Sequence, residues 1–156
     1  MLAKARAELS QVDFRLGDLS DLPVETSSVD VVVCALALTH CEHLGPPVRE
    51  LARVLRPGGH LILSDMPPLY SALGMTAFFG AEDGSAGYVR SYARTHSAYF
   101  AAFAAAGIEV QQCIEPLVGD ADVVLMSGGM MNLALEAFTA ALRGLPGALI
   151  WKLIRR

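Results

Sequence analysis

Several things are scarce in this 156-residue chain, and each scarcity excludes a class of protein. Charged residues make up only 18% of it, against 53% hydrophobic ones, too few and too many respectively for intrinsic disorder. Basic residues are not in excess: the net charge is −4, so the electrostatic footprint of a nucleic-acid binder is missing. No apolar run approaches the length of a membrane span; the longest runs from Val31 to Leu38. The first residues, Met1 to Glu8, lack the apolar core of a signal peptide. Cysteine is limited to Cys34, Cys41 and Cys113, an odd and unpatterned set that points to a reducing compartment and a cytoplasmic location. Neither the dinucleotide pattern G-x-G-x-x-G after a strand nor the hydrolase elbow G-x-S-x-G occurs.

What remains is an apolar chain of single-domain length, with a mean hydropathy of +0.42. A value that high implies a thickly buried sheet, an exposed apolar face, or both. Leu2, Ala5 and Leu9 share one helical face with no capping residue ahead of them, so the sequence reads as starting inside a helix. Val12, Phe14 and Leu16 alternate with polar residues and predict a short strand over Val12–Leu16, ending at Gly17-Asp18. The β-branched run from Val29 to Leu36 predicts a central strand buried on both faces. Val48, Leu51, Ala52 and Leu55 recur at helical spacing up to Arg56-Pro57-Gly58-Gly59, and His60 to Ser64 reads as another buried strand.

Residues 66–94 are rich in proline, glycine and aromatics, and read as a lid-like insertion with helix near Leu73 to Phe79. Thr95 or Ser97 caps a helix ending at Gly107, and a strand follows over Ile108–Ile114. Met130, Leu133, Ala134, Ala137, Phe138 and Leu142 form a helical stripe, and Ala148 to Ile154 is the last strand. Strands alternating with helices define an α/β fold with a mostly parallel sheet.

Ligands of open α/β sheets bind outside the carboxyl ends of the strands, which marks three places. At the first, Asp18 is placed to accept from an exocyclic amine and Leu19 to cover an aromatic ring; Asp18 equally reads as the start of a turn. At the second, small Ala35 and Ala37 let a ligand approach the backbone, and His40 is a candidate general base, since histidine titrates near working pH. His40 equally reads as a polar residue at a helix start. The spacing of His40, Cys41 and His43 sends side chains in divergent directions and lacks a second ligand pair, which argues against a metal. The third place is Ser64-Asp65 and the insertion behind it, where Tyr70, Phe78, Phe79, Tyr88, Arg90, Tyr92 and His96 either line an apolar pocket with polar tips or form the insertion's own core.

The order of segments resembles a known family. Phe14-Arg15-Leu16-Gly17-Asp18-Leu19-Ser20-Asp21-Leu22-Pro23, followed by Ser28-Val29-Asp30-Val31-Val32-Val33, is similar to the middle of the class I S-adenosylmethionine-dependent methyltransferases. So are Leu38-Thr39-His40, the segment Glu50 to Leu61 with its Pro57-Gly58-Gly59 turn, Ser97 to Ile108, and Leu145 to Trp151. The resemblance implies a Rossmann-like methyltransferase sheet whose last strand is antiparallel. It also implies truncation: strands 3 to 7 of the family are present, strands 1 and 2 with the glycine-rich cofactor loop are missing, and residues 1–156 form a single, N-terminally incomplete domain. Under it, the cofactor is S-adenosylmethionine, with Asp18 and Leu19 as adenine contacts and Ala35 and Leu36 as wall contacts. His40 or His96 would be the base, and Tyr70, Phe78, Tyr88 and Tyr92 the acceptor pocket.

The implied activity is methyl transfer to a small molecule. The alternative is a non-catalytic binding or partner module that has lost the cofactor. No metal, nucleic acid or membrane contact is expected. Two missing strands open a slot of about 10 Å beside the Val29 strand. That edge predicts a homodimer with an exchanged N-terminal segment, unless the first strand fills the slot or the chain is a piece of a longer protein.

Overall fold

A computed structural model describes residues 2–80, 84–119, 121–122 and 135–156. The elements in chain order are α1 (Leu2–Glu8), β1 (Val29–Ala35), a single 3-10 turn (Leu38–His40), α2 (Gly45–Val54), β2 (Leu55–Asp65) and α3 (Pro68–Ala72). After these come β3 (Ala77–Gly80), β4 (Ala86–Val89), α4 (His96–Ala105), β5 (Ile108–Ile114), α5 (Leu135–Leu142) and β6 (Leu149–Arg155).

Four strands form one sheet in the order β1-β2-β6-β5. β1 is parallel to β2, while β6 runs antiparallel to both β2 and β5. β1, β2 and β5 therefore point the same way and the last strand is reversed, giving a mixed α/β sheet with the antiparallel last strand that was expected. The crossover from β1 to the parallel β2 is made by α2, since parallel neighbours cannot be joined by a tight hairpin.

One face of this sheet carries the core. Register pairs Leu61 with Leu153 and Leu63 with Trp151. These side chains pack with Val48, Leu51 and Ala52 of α2 and with Tyr99 and Phe103 of α4. Trp151 lies at the centre, its ring 5.2 Å from Phe100, 5.4 Å from Phe103 and 6.0 Å from Tyr99. A two-residue alternation along β2 and β6 is enough to aim these residues at the helices.

The structure corrects three expectations. Val12–Leu16 is not a strand: the chain there has no sheet partner, and a strand without hydrogen-bonding neighbours is only an extended segment. β1 is not a central strand buried on both faces. It is an edge of the described sheet, with Val31 57% and Val33 70% exposed, because no neighbour pairs its outer side. The high hydropathy is thus partly an exposed apolar surface, to which Leu16 and Leu36 also contribute. The insertion's helix lies earlier than expected, at Pro68–Ala72, and Ala77–Gly80 pairs with Ala86–Val89 as a separate two-stranded ribbon. In the C-terminal helical stripe, Met130, Leu133 and Ala134 lie outside the described residues, and α5 carries the remainder of it.

Candidate functional site

The carboxyl ends of β1 and β2 are built by a strained turn. Leu36, the residue after β1, has a φ of +52°, a left-handed conformation that a branched side chain rarely adopts. It is held there because its N–H donates to the Ser64 carbonyl across the sheet, at 2.8 Å. Backbone strain of this kind persists only where the surroundings enforce it, and it clusters at binding sites. The turn swings the chain into Leu38–His40, which packs Leu38 and Thr39 into the core and leaves His40 half-buried at the rim.

The segment between the ribbon and α4 is strapped onto this turn. The Tyr92 N–H donates to the Thr39 carbonyl at 2.9 Å. His40 Nδ1 lies 2.9 Å from the Arg90 carbonyl. A carbonyl only accepts, so Nδ1 carries the hydrogen and Nε2 of the neutral ring holds the free lone pair. The sequence separation of fifty residues makes this pairing invisible to any local pattern.

Asp65 ends β2 and is fully buried. Its Oδ2 accepts from Tyr99 Oη at 2.6 Å and its Oδ1 from the Met66 N–H at 2.9 Å. Burial pushes the carboxyl above the ordinary aspartate range, opposed by these two hydrogen bonds and by the nearby His40 and Arg94. Tyr99 is held strongly in its protonated form by burial and by the Asp65 charge. Cys34, buried beneath, has its thiol pushed up to about 11 by burial first and Asp65 second, so it is an unreactive packing residue. Cys34, Cys41 and Cys113 are all free thiols.

On the other side of the turn lies an open trough of about 740 Å³ lined by residues that include Arg15, Gly17, Asp18, Leu19, Leu22, Val29 and Ala37. Its floor is fixed by a polar clamp from α2. Glu50 accepts from the Leu22 N–H at 3.0 Å, and Arg53 bridges Glu50 and the Leu22 carbonyl. Gly17 is required for the tight pass of the chain, since a Cβ there would lie 2.4 Å from Pro23 Cδ. Asp18 Oδ1 accepts from the Ser20 N–H and hydroxyl, which lowers its pKa and keeps the exposed carboxylate ionised. Asp18 thus shapes a turn and lines the trough.

The structure distributes the other expected residues as follows. Ala35 and Leu36 are exposed at the end of β1, and Ala37 lies between them and the trough. Tyr70 is buried, its hydroxyl without a partner among the described residues. Phe78 and Tyr88 are opposite one another in the ribbon, Tyr88 being 66% exposed. Tyr92 is half-buried, with the Arg90 guanidinium 4.9 Å above its ring. His96 is the first residue of α4, with Nε2 3.2 Å from Glu115 and its ring edge-on to Trp151. His40, Asp65, Tyr99 and Arg94 are thus brought to one end of the sheet, the trough runs from Ala37 at that end to Ser28 and Val29 at the start of β1, and His96 pairs with a surface carboxylate. Arg94 and the Asp65–Tyr99 pair were not singled out as partners in the sequence. Their only signal was a charged residue at the end of an apolar strand and an arginine beside the Thr95 cap. Among the described residues no group of three or more His, Cys, Asp or Glu is placed to hold a metal. No described helix is long and apolar enough to cross a membrane.

Residues 1–63 match the family described as "Methyltransferase domain". A phthiotriol/phenolphthiotriol dimycocerosates methyltransferase of Mycobacterium ulcerans is 43% identical over 68 residues, which cover 43% of this chain and 25% of that protein. A malonyl-[acyl-carrier protein] O-methyltransferase of Yersinia pestis is 38% identical over 66 residues, 42% of this chain and 25% of that protein. The matched part thus spans about a quarter of the length of these relatives. In fold, the chain is similar to an S-adenosylmethionine-dependent methyltransferase of Mesorhizobium loti, with a TM-score of 0.68 at 21% identity, over 99% of this chain and 76% of that one. The resemblance to the class I S-adenosylmethionine-dependent methyltransferases therefore holds in sequence over the first 63 residues, and in Rossmann-like fold over nearly the whole chain.

Proposed function

We propose that this chain carries out S-adenosylmethionine-dependent methyl transfer to a small-molecule acceptor, or forms the acceptor-binding portion of a longer protein that does. The single observation that carries this is a juxtaposition. The Asp18–Leu19 trough and the His40 turn flank the carboxyl end of the same strand, β1, in a sheet of the methyltransferase order.

The described residues fit one half of the cofactor. Asp18 offers an ionised acceptor at the trough rim, Leu19 and Ala37 offer apolar walls, and about 740 Å³ of open space is ample for a purine ring. Ala35 and Leu36 supply a low wall at the strand end. The bound cofactor supplies an electrophilic methyl group; the protein supplies proximity, orientation and exclusion of water. His40 Nε2 takes a proton from the acceptor where it must lose one, and the Arg90 carbonyl holds the ring in that tautomer. His96 is the second candidate, although its Nε2 is engaged by Glu115 at 3.2 Å. Tyr70 and Tyr92, together with the ribbon bearing Phe78 and Tyr88, form the acceptor side. In this reading residues 66–94 are a lid on a single domain, strapped at Thr39 and His40.

The experiment is a calorimetric titration with S-adenosylmethionine. A hydrogen bond to a charged acceptor contributes about 1.5–3 kcal/mol, so Asp18→Ala should weaken binding by roughly tenfold or more. Equal affinities for the two proteins would remove Asp18 from the site. No binding to the native chain would favour the alternative of a non-catalytic module.

The unpaired β1 edge and the helix α1, which buries none of its described residues, motivate a second element of the reading: a cytoplasmic homodimer. The N-terminal helix and extended segment of one copy cover the β1 edge of the other, by exchange. Light scattering should return twice 16.6 kDa. A monodisperse monomer with a concentration-independent melt would contradict it.

A further inference from the structure

Arg94 occupies a place defined from both sides. Two residues earlier, Tyr92 is bonded to the turn that bears His40; one residue later, Thr95 caps α4, its hydroxyl accepting from the Ala98 N–H. Tyr99, on the first turns of that helix, reaches Asp65. Arg94 is therefore carried across the carboxyl ends of β1 and β2, over the same end of the sheet as His40. Its Cζ lies 5.7 Å from the centre of the Tyr92 ring, which supports the guanidinium plane.

The two nitrogens Nε and Nη2 are both buried, and neither has a hydrogen-bond partner among the described residues. These two atoms are not an arbitrary pair. They form the side-on edge of the guanidinium, from which two N–H groups project in parallel, the geometry that takes both oxygens of a carboxylate at once. The nearby carboxylate, Asp65, does not fill this role. Each of its oxygens accepts one hydrogen bond, from the Met66 N–H and the Tyr99 hydroxyl, and among the described residues neither bonds to the Nε–Nη2 edge of Arg94. Asp65, Tyr99 and Cys41 nevertheless feel the Arg94 charge, so the guanidinium sits among them rather than out in solvent. Arg94 is half-buried, and two buried N–H groups left without partners are costly unless a ligand completes them.

We propose that the Nε–Nη2 edge of Arg94 binds a carboxylate on the methyl acceptor, so that the substrate class is a small organic acid held beside His40. This rests on the methyltransferase reading only for the word acceptor; the anion site itself does not depend on it. A carboxylate suits the site better than a neutral group because no described side chain hydrogen-bonds that paired donor edge.

The test uses three probes of one size: benzoate, benzamide and phenyl phosphate, titrated into the native chain and followed by calorimetry or chemical-shift change. Benzoate should bind at least tenfold more tightly than benzamide, and Arg94→Gln should remove that preference while the other probe is unaffected. Arg94→Lys keeps the charge but not the fork, and should weaken benzoate by about tenfold; it also serves if the Gln variant fails to fold. Equal binding of benzoate and benzamide, no binding of either, or unchanged benzoate affinity in both variants would overturn the proposal. Tighter binding of phenyl phosphate than of benzoate would overturn the carboxylate assignment. Failure of the chain to bind S-adenosylmethionine, with the benzoate preference intact, would instead fall on the methyltransferase reading.

Discussion

Replacing Trp151 by alanine should remove about 3–5 kcal/mol of stability, the usual range for deleting a buried large aromatic side chain. Trp151 is fully buried at the middle of β6, and its ring touches the aromatic residues of α4 on one side while its strand pairs with both β2 and β5. The indole is thus the contact through which the sheet and α4 hold each other. A small domain has a total stability of roughly 5–15 kcal/mol, so the variant should be at the margin of folding. The neighbouring Lys152 is exposed, and Lys152→Ala should stay within about 0.5 kcal/mol of the native chain. Urea denaturation followed by far-ultraviolet circular dichroism compares the two. A loss below about 1 kcal/mol for the tryptophan variant would mean that α4 and the sheet are held together elsewhere.

The second large effect concerns His40. If Nε2 removes the acceptor's proton, His40→Ala should lower the turnover rate by about 10²–10⁴ for acceptors that must be deprotonated. The affinity for S-adenosylmethionine should change less than twofold, because the imidazole bonds to the Arg90 carbonyl and lies outside the Asp18 trough. His96→Ala should cost far less, since its ring is engaged with Glu115. Rate assays at saturating cofactor decide between them. A drop in cofactor affinity equal to the drop in rate would make His40 a structural element of the cofactor wall. A large loss for His96→Ala with His40→Ala active would reverse the assignment.

The sheet was legible in the sequence where the signal was local. The runs Val29–Ala35, Ile108–Ile114 and Leu149–Arg155 are short, rich in β-branched or aromatic residues and preceded by turn residues, and each forms a strand within a residue of its expected limits. The Thr95 cap was equally local, but Arg56-Pro57-Gly58-Gly59 is no separate turn: α2 ends at Val54 and β2 starts at Leu55, five residues before the expected His60, with an irregular register opposite Val29–Val31. Whether an apolar strand lies inside a sheet or at its edge is not local: it depends on whether another strand is present to pair with it. β1 carries the composition of a central strand, yet the described sheet leaves its outer side unpaired. Val12–Leu16 alternates as a strand should, but alternation cannot supply a hydrogen-bonding neighbour.

The site divides in the same way. Asp18, Leu19 and His40 could be nominated from the sequence because they follow strand-like segments at the end where ligands of such sheets bind. The tautomer of His40, the burial of Asp65 by Tyr99 and the unsatisfied edge of Arg94 were not, because each joins residues from separate elements. What unites them is the strap from Arg90 to Thr95, a stretch without regular structure whose composition carries no periodic signal.

The most direct test of the account is to map the demethylated cofactor, S-adenosylhomocysteine, onto the isotopically labelled chain by nuclear magnetic resonance. The account predicts saturable shifts of Asp18, Leu19, Ala35, Leu36 and Ala37, with the β3–β4 ribbon responding only when an acceptor acid is added. Saturable shifts confined to other faces, or no shifts at millimolar concentrations, would contradict the claim that the ends of β1 and β2 form a methyl-transfer site.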